Sequence, residues 1–216
     1  MNPKRLAITS ILLFGSLWGL SELGIDRLEL AESVPRAPLL TAAAIVFLVI
    51  ARRVWDAPGS SFSLAVLASA FKFVQNPFFG CKIAAVLLLG AIFDAALSIA
   101  RGREPAALWS FRRIAPYARV VIATLVSFAA FGFFARYVLV NPFWVAGGAA
   151  RMLEYQLLHG LIAAALAIPA TYVGLRAGAG IVETSESWSG ARLLAYRVAA
   201  LASGAAGVTV ALVTRG

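Results

Sequence analysis

Charge is scarce in this chain. Only 13% of its 216 residues are Asp, Glu, Lys or Arg, whereas 61% are hydrophobic, and the mean hydropathy is +0.86. Soluble domains carry about 25% charged and 45–50% apolar residues, so an ordinary soluble globule and a disordered chain are both excluded. Cysteine and histidine are scarcer still, with Cys81 and His159 the single examples. One cysteine excludes an internal disulfide, and the pair leaves a zinc or haem site almost without ligands. No phosphate-binding glycine loop is present, so the chain is not expected to hydrolyse ATP, and no cofactor or metal is expected. Acidic residues number 10 against 19 basic ones, a net charge of +9. The basic residues are scattered between apolar runs and form no single face, which argues against nucleic acid as a partner. In a membrane chain such an excess orients loops toward an anionic leaflet.

Long apolar runs are what the chain does have. A bilayer core of about 30 Å needs about 20 helical residues at about 1.5 Å each. Seven stretches approach that length: 6–23, 38–51, 62–74, 83–100, 120–135, 152–174 and 193–213. The expected fold class is therefore all-α, a polytopic transmembrane helical bundle forming a single integral membrane domain over 1–216. The second and third stretches are short and must extend, tilt or thin the bilayer. Arg197 inside the seventh leaves the count at six or seven spans. The first stretch follows Lys4 and Arg5 but lacks a small-residue cleavage pattern, and Glu22 and Asp26 stand where a cut would fall. It reads as a retained span. Arg52 and Arg53 follow the second stretch, and Arg101, Arg103, Arg112, Arg113 and Arg119 follow the fourth. Their alternation with the acidic loop after the first span predicts a cytoplasmic amino terminus in the inner (plasma) membrane.

Ionisable groups at the bilayer centre cost about 2.5–3.5 kcal/mol on insertion scales, so each needs a partner or a wet cavity. Glu22, Lys72, Lys82, Arg136, Arg151, Glu154 and His159 gather toward the expected outer half. Snorkelling to headgroups would explain the cations. The competing reading is an outward-facing pocket in which Lys72, Lys82, Arg136 and Arg151 hold an anionic or polar ligand. Asn76 and Asn141 would then add hydrogen bonds, and Phe78, Phe79, Tyr137 and Trp144 would stack on the ligand or cover it. Glu22 or Glu154 would neutralise these cations in a structural network instead. Tyr155 and His159 share a helix face. Asp94 lies toward the other side and is expected to pair with Arg101 or a neighbouring helix. Asn-Pro-Phe occurs twice, at 76–78 and 141–143. It reads either as a turn between helices or as irregular backbone lining a cavity, with the aromatics also suited to an interfacial belt. Pro169 predicts a kink.

Gly15 and Gly19 form a G-x-x-x-G spacing in the first span, and Ala199, Ala200, Ser203 and Gly204 repeat small residues four apart in the last. Such faces let helices approach closely, within the chain or across to another. Together with Gly19-Leu20-Ser21-Glu22 and the outer cluster, this pattern resembles the substrate-binding S component of energy-coupling factor transporters over residues 1 to 175. The resemblance implies a ligand, commonly a vitamin or its precursor, bound from outside under the loops joining helices one to two, three to four and five to six. The matching segments hold Glu22, Lys72 to Lys82 and Arg136 to Arg151. It also implies a transmembrane coupling subunit meeting Gly15 and Gly19, and cytoplasmic ATPase partners. Six helices are usual in that family, so a seventh span is a departure.

The leading expectation is a solute-binding subunit of an uptake transporter that captures a small polar or anionic metabolite or vitamin and has no enzymatic activity. The alternative is a structural or assembly subunit of a larger membrane complex, recognised by a fixed stoichiometric partner and no small molecule. A third reading is an intramembrane lipid enzyme using Glu154, His159 or Asp94 as acid or base.

Overall fold

The computed structural model describes residues 3–27, 35–74, 80–101, 113–185 and 190–213, and every regular element among them is helical. Helix α1 covers Pro3–Arg27, α2 Arg36–Val54, and α3 Ser60–Ala70 followed by a 3-10 turn at Phe71–Val74. Helix α4 covers Gly80–Arg101, α5 Ile114–Tyr137, and α6 Pro142–Tyr155. A π-turn at Gln156–Gly160 joins α6 to α7 (Leu161–Ser185), and α8 covers Gly190–Val213. Five helical runs are long and apolar enough to cross a bilayer. The apolar parts of α3 and α8 are shorter.

Local chemistry accounts for several helix ends. Pro38 and Pro116 sit in the first turns of α2 and α5, where a missing N–H leaves no helical bond unmade. Arg52 and Arg53 end α2, the end that favours cations. Helix α3 starts at Gly59, which has a left-handed φ of 85° and no side-chain cap of its own. The cap comes from α4 instead: Asp94 accepts from Gly59 N at 2.8 Å and Ser61 N at 3.0 Å.

Helix packing relies on small residues, as expected where lipid removes the hydrophobic drive between helices. Gly15 faces Leu67 and Gly19 faces Phe71, so closely that an added Cβ would lie 2.9 and 2.5 Å from those side chains. The G-x-x-x-G face of α1 is therefore occupied by α3 of the same chain. Gly90 brings α4 equally close to α3. Helix α8 runs along α1, with Tyr196 Oη 3.1 Å from Ser10 Oγ and Gly204 beside Ser16. The buried centre contains Trp18, Ile45, Leu48, Leu64, Phe93, Val120 and Leu175.

One expected boundary needs correction. The sixth apolar stretch, read as 152–174, belongs to one helical run of 42 residues, Pro142–Glu183. That run is interrupted at Gly148, whose φ of 63° and ψ of −156° are nonhelical, and continues through the π-turn with helical backbone on either side. The second Asn-Pro-Phe follows the turn alternative: residues 138–141 link α5 to α6, and the motif starts α6. Asn141 Oδ1 accepts from Phe143 N at 3.1 Å and Pro142 occupies the first helical position, the usual chemistry of an N-cap. The first Asn-Pro-Phe, with Asn76 and Phe78, and also Phe79 lie outside the described residues.

The α3–α4 contact sets a prediction. A Cβ at position 90 would fall 2.2 Å from Ala65 Cβ and 3.1 Å from the Ser61 carbonyl, neither of which can swing aside. Gly90→Ala should destabilise the protein by about 1–3 kcal/mol. Gly24→Ala, with open space around it, should change stability by no more than about 1 kcal/mol. Unfolding midpoints in mild detergent measure both, and equal losses would contradict this packing.

Candidate functional site

Where α1 and the 3-10 turn after α3 end, six elements leave a cavity of about 320 Å³ between them. This is within the range of small-molecule sites, about 300–1,000 Å³. Trp18 and Glu22 come from α1, four residues apart and so on one face. Helix α2 supplies Arg36, Leu40 and Thr41, and the 3-10 turn supplies Lys72. Helix α4 supplies Cys81, Lys82, Val86 and Leu89, α5 supplies Ser127, Phe128 and Phe131, and α6 supplies Tyr155.

The best-defined polar contact on this wall is an ion pair. Lys72 Nζ lies 2.8 Å from Glu22 Oε2, with side-chain exposures of 2% and 6%. Trp18 Nε1 donates to the other carboxylate oxygen at 3.0 Å, so both Glu22 oxygens are engaged. The 3-10 turn explains how Lys72 gets there. Phe71 is buried against Gly19, and the next residue reaches the end of α1 while Phe73 turns outward at 55% exposure. Aromatic packing stiffens the opposite wall. Tyr155 stacks on Phe128 at a centroid distance of 5.4 Å and an angle of 27°. Trp144 meets Tyr155 edge-on at 5.0 Å from behind.

The expected cluster of four cations is only half assembled. Lys72 and Lys82 line the cavity; among the lining residues neither Arg136 nor Arg151 is found. Arg136 lies over the Tyr137 ring at 5.0 Å. Arg151 lies over the Phe143 ring at 4.4 Å, with Glu154 Oε2 at 3.6 Å from its Nε. Beyond the nonhelical Gly148, Tyr155 lines the cavity and Arg151 does not. Tyr137, Asn141, Trp144, Glu154 and His159 also stand outside the lining. Trp144 is buried behind the aromatic wall, and His159 contacts the Tyr155 ring at 4.9 Å. Among the described residues no three His, Cys, Asp or Glu side chains are grouped to hold a metal ion.

Several lining residues were not singled out from the sequence for this role: Trp18, Arg36, Thr41, Ser127, Phe128, Phe131 and Tyr155. The i,i+4 spacing of Trp18 and Glu22 was a readable signal. The others needed the tertiary arrangement.

A second buried network lies at the opposite end. Arg52, with 0% exposure, donates through Nη2 to Ser98 Oγ at 2.8 Å and the Asp94 carbonyl at 3.2 Å. Its Nη1 donates to the Ala57 carbonyl and lies 3.4 Å from Asp56 Oδ1. Asp94 therefore has its partners on α2 and at the start of α3, the neighbouring-helix alternative. This cluster staples α2, α3 and α4 together.

Comparison with protein-family models, with curated proteins and with solved structures returns no match.

The Glu22–Lys72 pair sets a stability prediction. Lys72→Met leaves a buried carboxylate without its countercharge and should cost about 3–5 kcal/mol. Adding Glu22→Gln removes the second charge and should recover most of that loss. Denaturant unfolding in detergent compares the variants, and a double variant no more stable than Lys72→Met would contradict charge compensation.

Proposed function

We propose that this protein is a membrane-embedded solute-binding subunit of an uptake transporter, of the S-component kind that its sequence pattern resembles. The observation that carries the reading is the cavity, where Lys72, Lys82, Arg36 and Glu22 meet aromatic walls between six helical elements. A pocket of mostly apolar lining with a few converging polar groups suits capture of a small metabolite. In this reading the basic loops lie in the cytoplasm, the amino terminus with them, and the cavity opens to the outer side of the inner membrane. The chain binds and hands over its solute without chemistry of its own.

Energy would come from partners, a transmembrane coupling subunit and cytoplasmic ATPases. Gly15 and Gly19, the residues the resemblance assigns to the coupling subunit, are covered by α3. Contact with such a subunit therefore falls to another face of the bundle.

Cys81 offers a direct test, because it is the single cysteine and lines the cavity. A panel of vitamins and anionic metabolites should contain a solute that raises the unfolding temperature saturably and slows maleimide labelling of Cys81. Lys82→Ala should weaken that solute by about 1–3 kcal/mol if it makes a charge-assisted contact. A panel in which nothing stabilises the protein or shields Cys81 would overturn the reading.

A further inference from the structure

Arg136 and Arg151 stand outside the cavity, yet they converge on one short stretch of backbone. At Gly148 helix α6 leaves helical geometry, with a φ and ψ that glycine alone adopts without strain. A Cβ at Gly148 would lie 3.6 Å from Arg136 Nη1, and a Cβ at Gly147 would lie 3.1 Å from Arg151 Nε. Both guanidinium groups therefore reach the same pair of glycines, one from the end of α5 and the other from α6 itself.

The N–H donors of these two groups are incompletely used. Arg136 Nη1 is buried and has no hydrogen-bond partner among the described residues. Each guanidinium does lie over a ring, Arg136 over Tyr137 and Arg151 over Phe143. A ring attracts the charge but accepts none of the five in-plane donors in the way an oxygen does. Glu154 Oε2, at 3.6 Å from Arg151 Nε, is too far for a hydrogen bond. With side-chain exposures of 39% and 57%, that pair is open to water and weak. A buried cationic donor without an acceptor is costly, and an anion with several oxygens at the glycine step would satisfy it.

The surroundings favour one kind of anion. Val138, Val140, Phe143 and Val145 border the arginines and are between 45% and 62% exposed. Leu153 and Leu157, four residues apart and also exposed, extend this surface along the 42-residue run that includes α6. A free anion gains nothing from such a border, whereas acyl chains do. Guanidinium forks match the paired oxygens of a phosphate. We infer that Arg136, Arg151 and the Gly147–Gly148 step form a binding site for the phosphate of a membrane phospholipid, whose acyl chains lie against the exposed face of α6. The site is separate from the cavity and does not depend on the solute-binding reading.

Three probes test it on the full-length protein stripped of lipid in detergent: dioleoylphosphatidylglycerol, dioleoylglycerol (the same chains without the phosphate) and inorganic phosphate. Native mass spectrometry counts bound lipid, and the unfolding temperature is read alongside. The phospholipid should bind saturably and stabilise the protein, with dioleoylglycerol about 10-fold weaker or more, as expected for loss of charge-assisted bonds. Arg136→Gln and Arg151→Gln should each weaken phospholipid binding by about 10-fold while leaving dioleoylglycerol unchanged. Arg119→Gln, near the opposite end of α5, should leave phospholipid binding unchanged. Equal binding of the two lipids would overturn the phosphate contact. An equal loss on Arg119→Gln would overturn the site in favour of general attraction between an anionic lipid and a basic chain. Inorganic phosphate that stabilises the protein as strongly as the phospholipid would overturn the lipid source. If Arg136→Gln lowers the unfolding temperature of the lipid-free protein and leaves phospholipid binding intact, the buried donor serves packing and the inference falls.

Discussion

An ionised side chain that cannot reach water must find its countercharge inside the bundle. Glu22 and Lys72 meet that requirement at 2.8 Å, and the surrounding helices are arranged to let them. Gly15 and Gly19 allow α3 to lie against α1, Phe71 fills the space over Gly19, and the tightened 3-10 turn delivers Lys72 to the carboxylate. Arg52 obeys the same constraint at the far end, where serine, aspartate and backbone carbonyl groups surround its guanidinium. One charge cluster thus secures α1 to α3 and the other secures α2, α3 and α4.

With both ends secured in this way, the helices frame a hollow instead of closing on one another. Its rim contains the groups that hydrocarbon excludes, and its depth contains the rings and aliphatic side chains that hydrocarbon tolerates. Tyr155 of α6 completes the wall, and Trp144 meets that ring edge-on. Packing and recognition come from the same side chains here. Trp18 is part of the buried centre, a hydrogen-bond donor to Glu22 and a wall of the cavity.

Much of this was legible because insertion energetics leave strong marks on composition. The helical class, the apolar runs and the small-residue face of α1 follow from residue type and spacing alone. So does the need for partners around Glu22, Lys72 and Asp94. Partner identity was harder to read, because Glu22 with Lys72 and Arg52 with Asp94 are each about 40 to 50 residues apart and meet through tertiary packing. Arg136 and Arg151 were placed in the cluster because they stand toward the same expected outer half, and position along a helix does not say which face meets a cavity. The nonhelical conformation of Gly148, between the two arginines, has no periodicity that can be read in advance. The Asn141-Pro142 pair, by contrast, was readable as a turn between helices, and it stands where the turn after α5 passes into α6.

The most direct test of the account is an experimental density map of the protein purified gently in lipid. The account predicts Lys72 against Glu22, with Lys82, Trp18 and Tyr155 around one hollow that holds nonprotein density of small-molecule size. A map in which Lys72 and Lys82 point separately to lipid headgroups, with the space between α1, α2 and α4 closed by side chains, would contradict it.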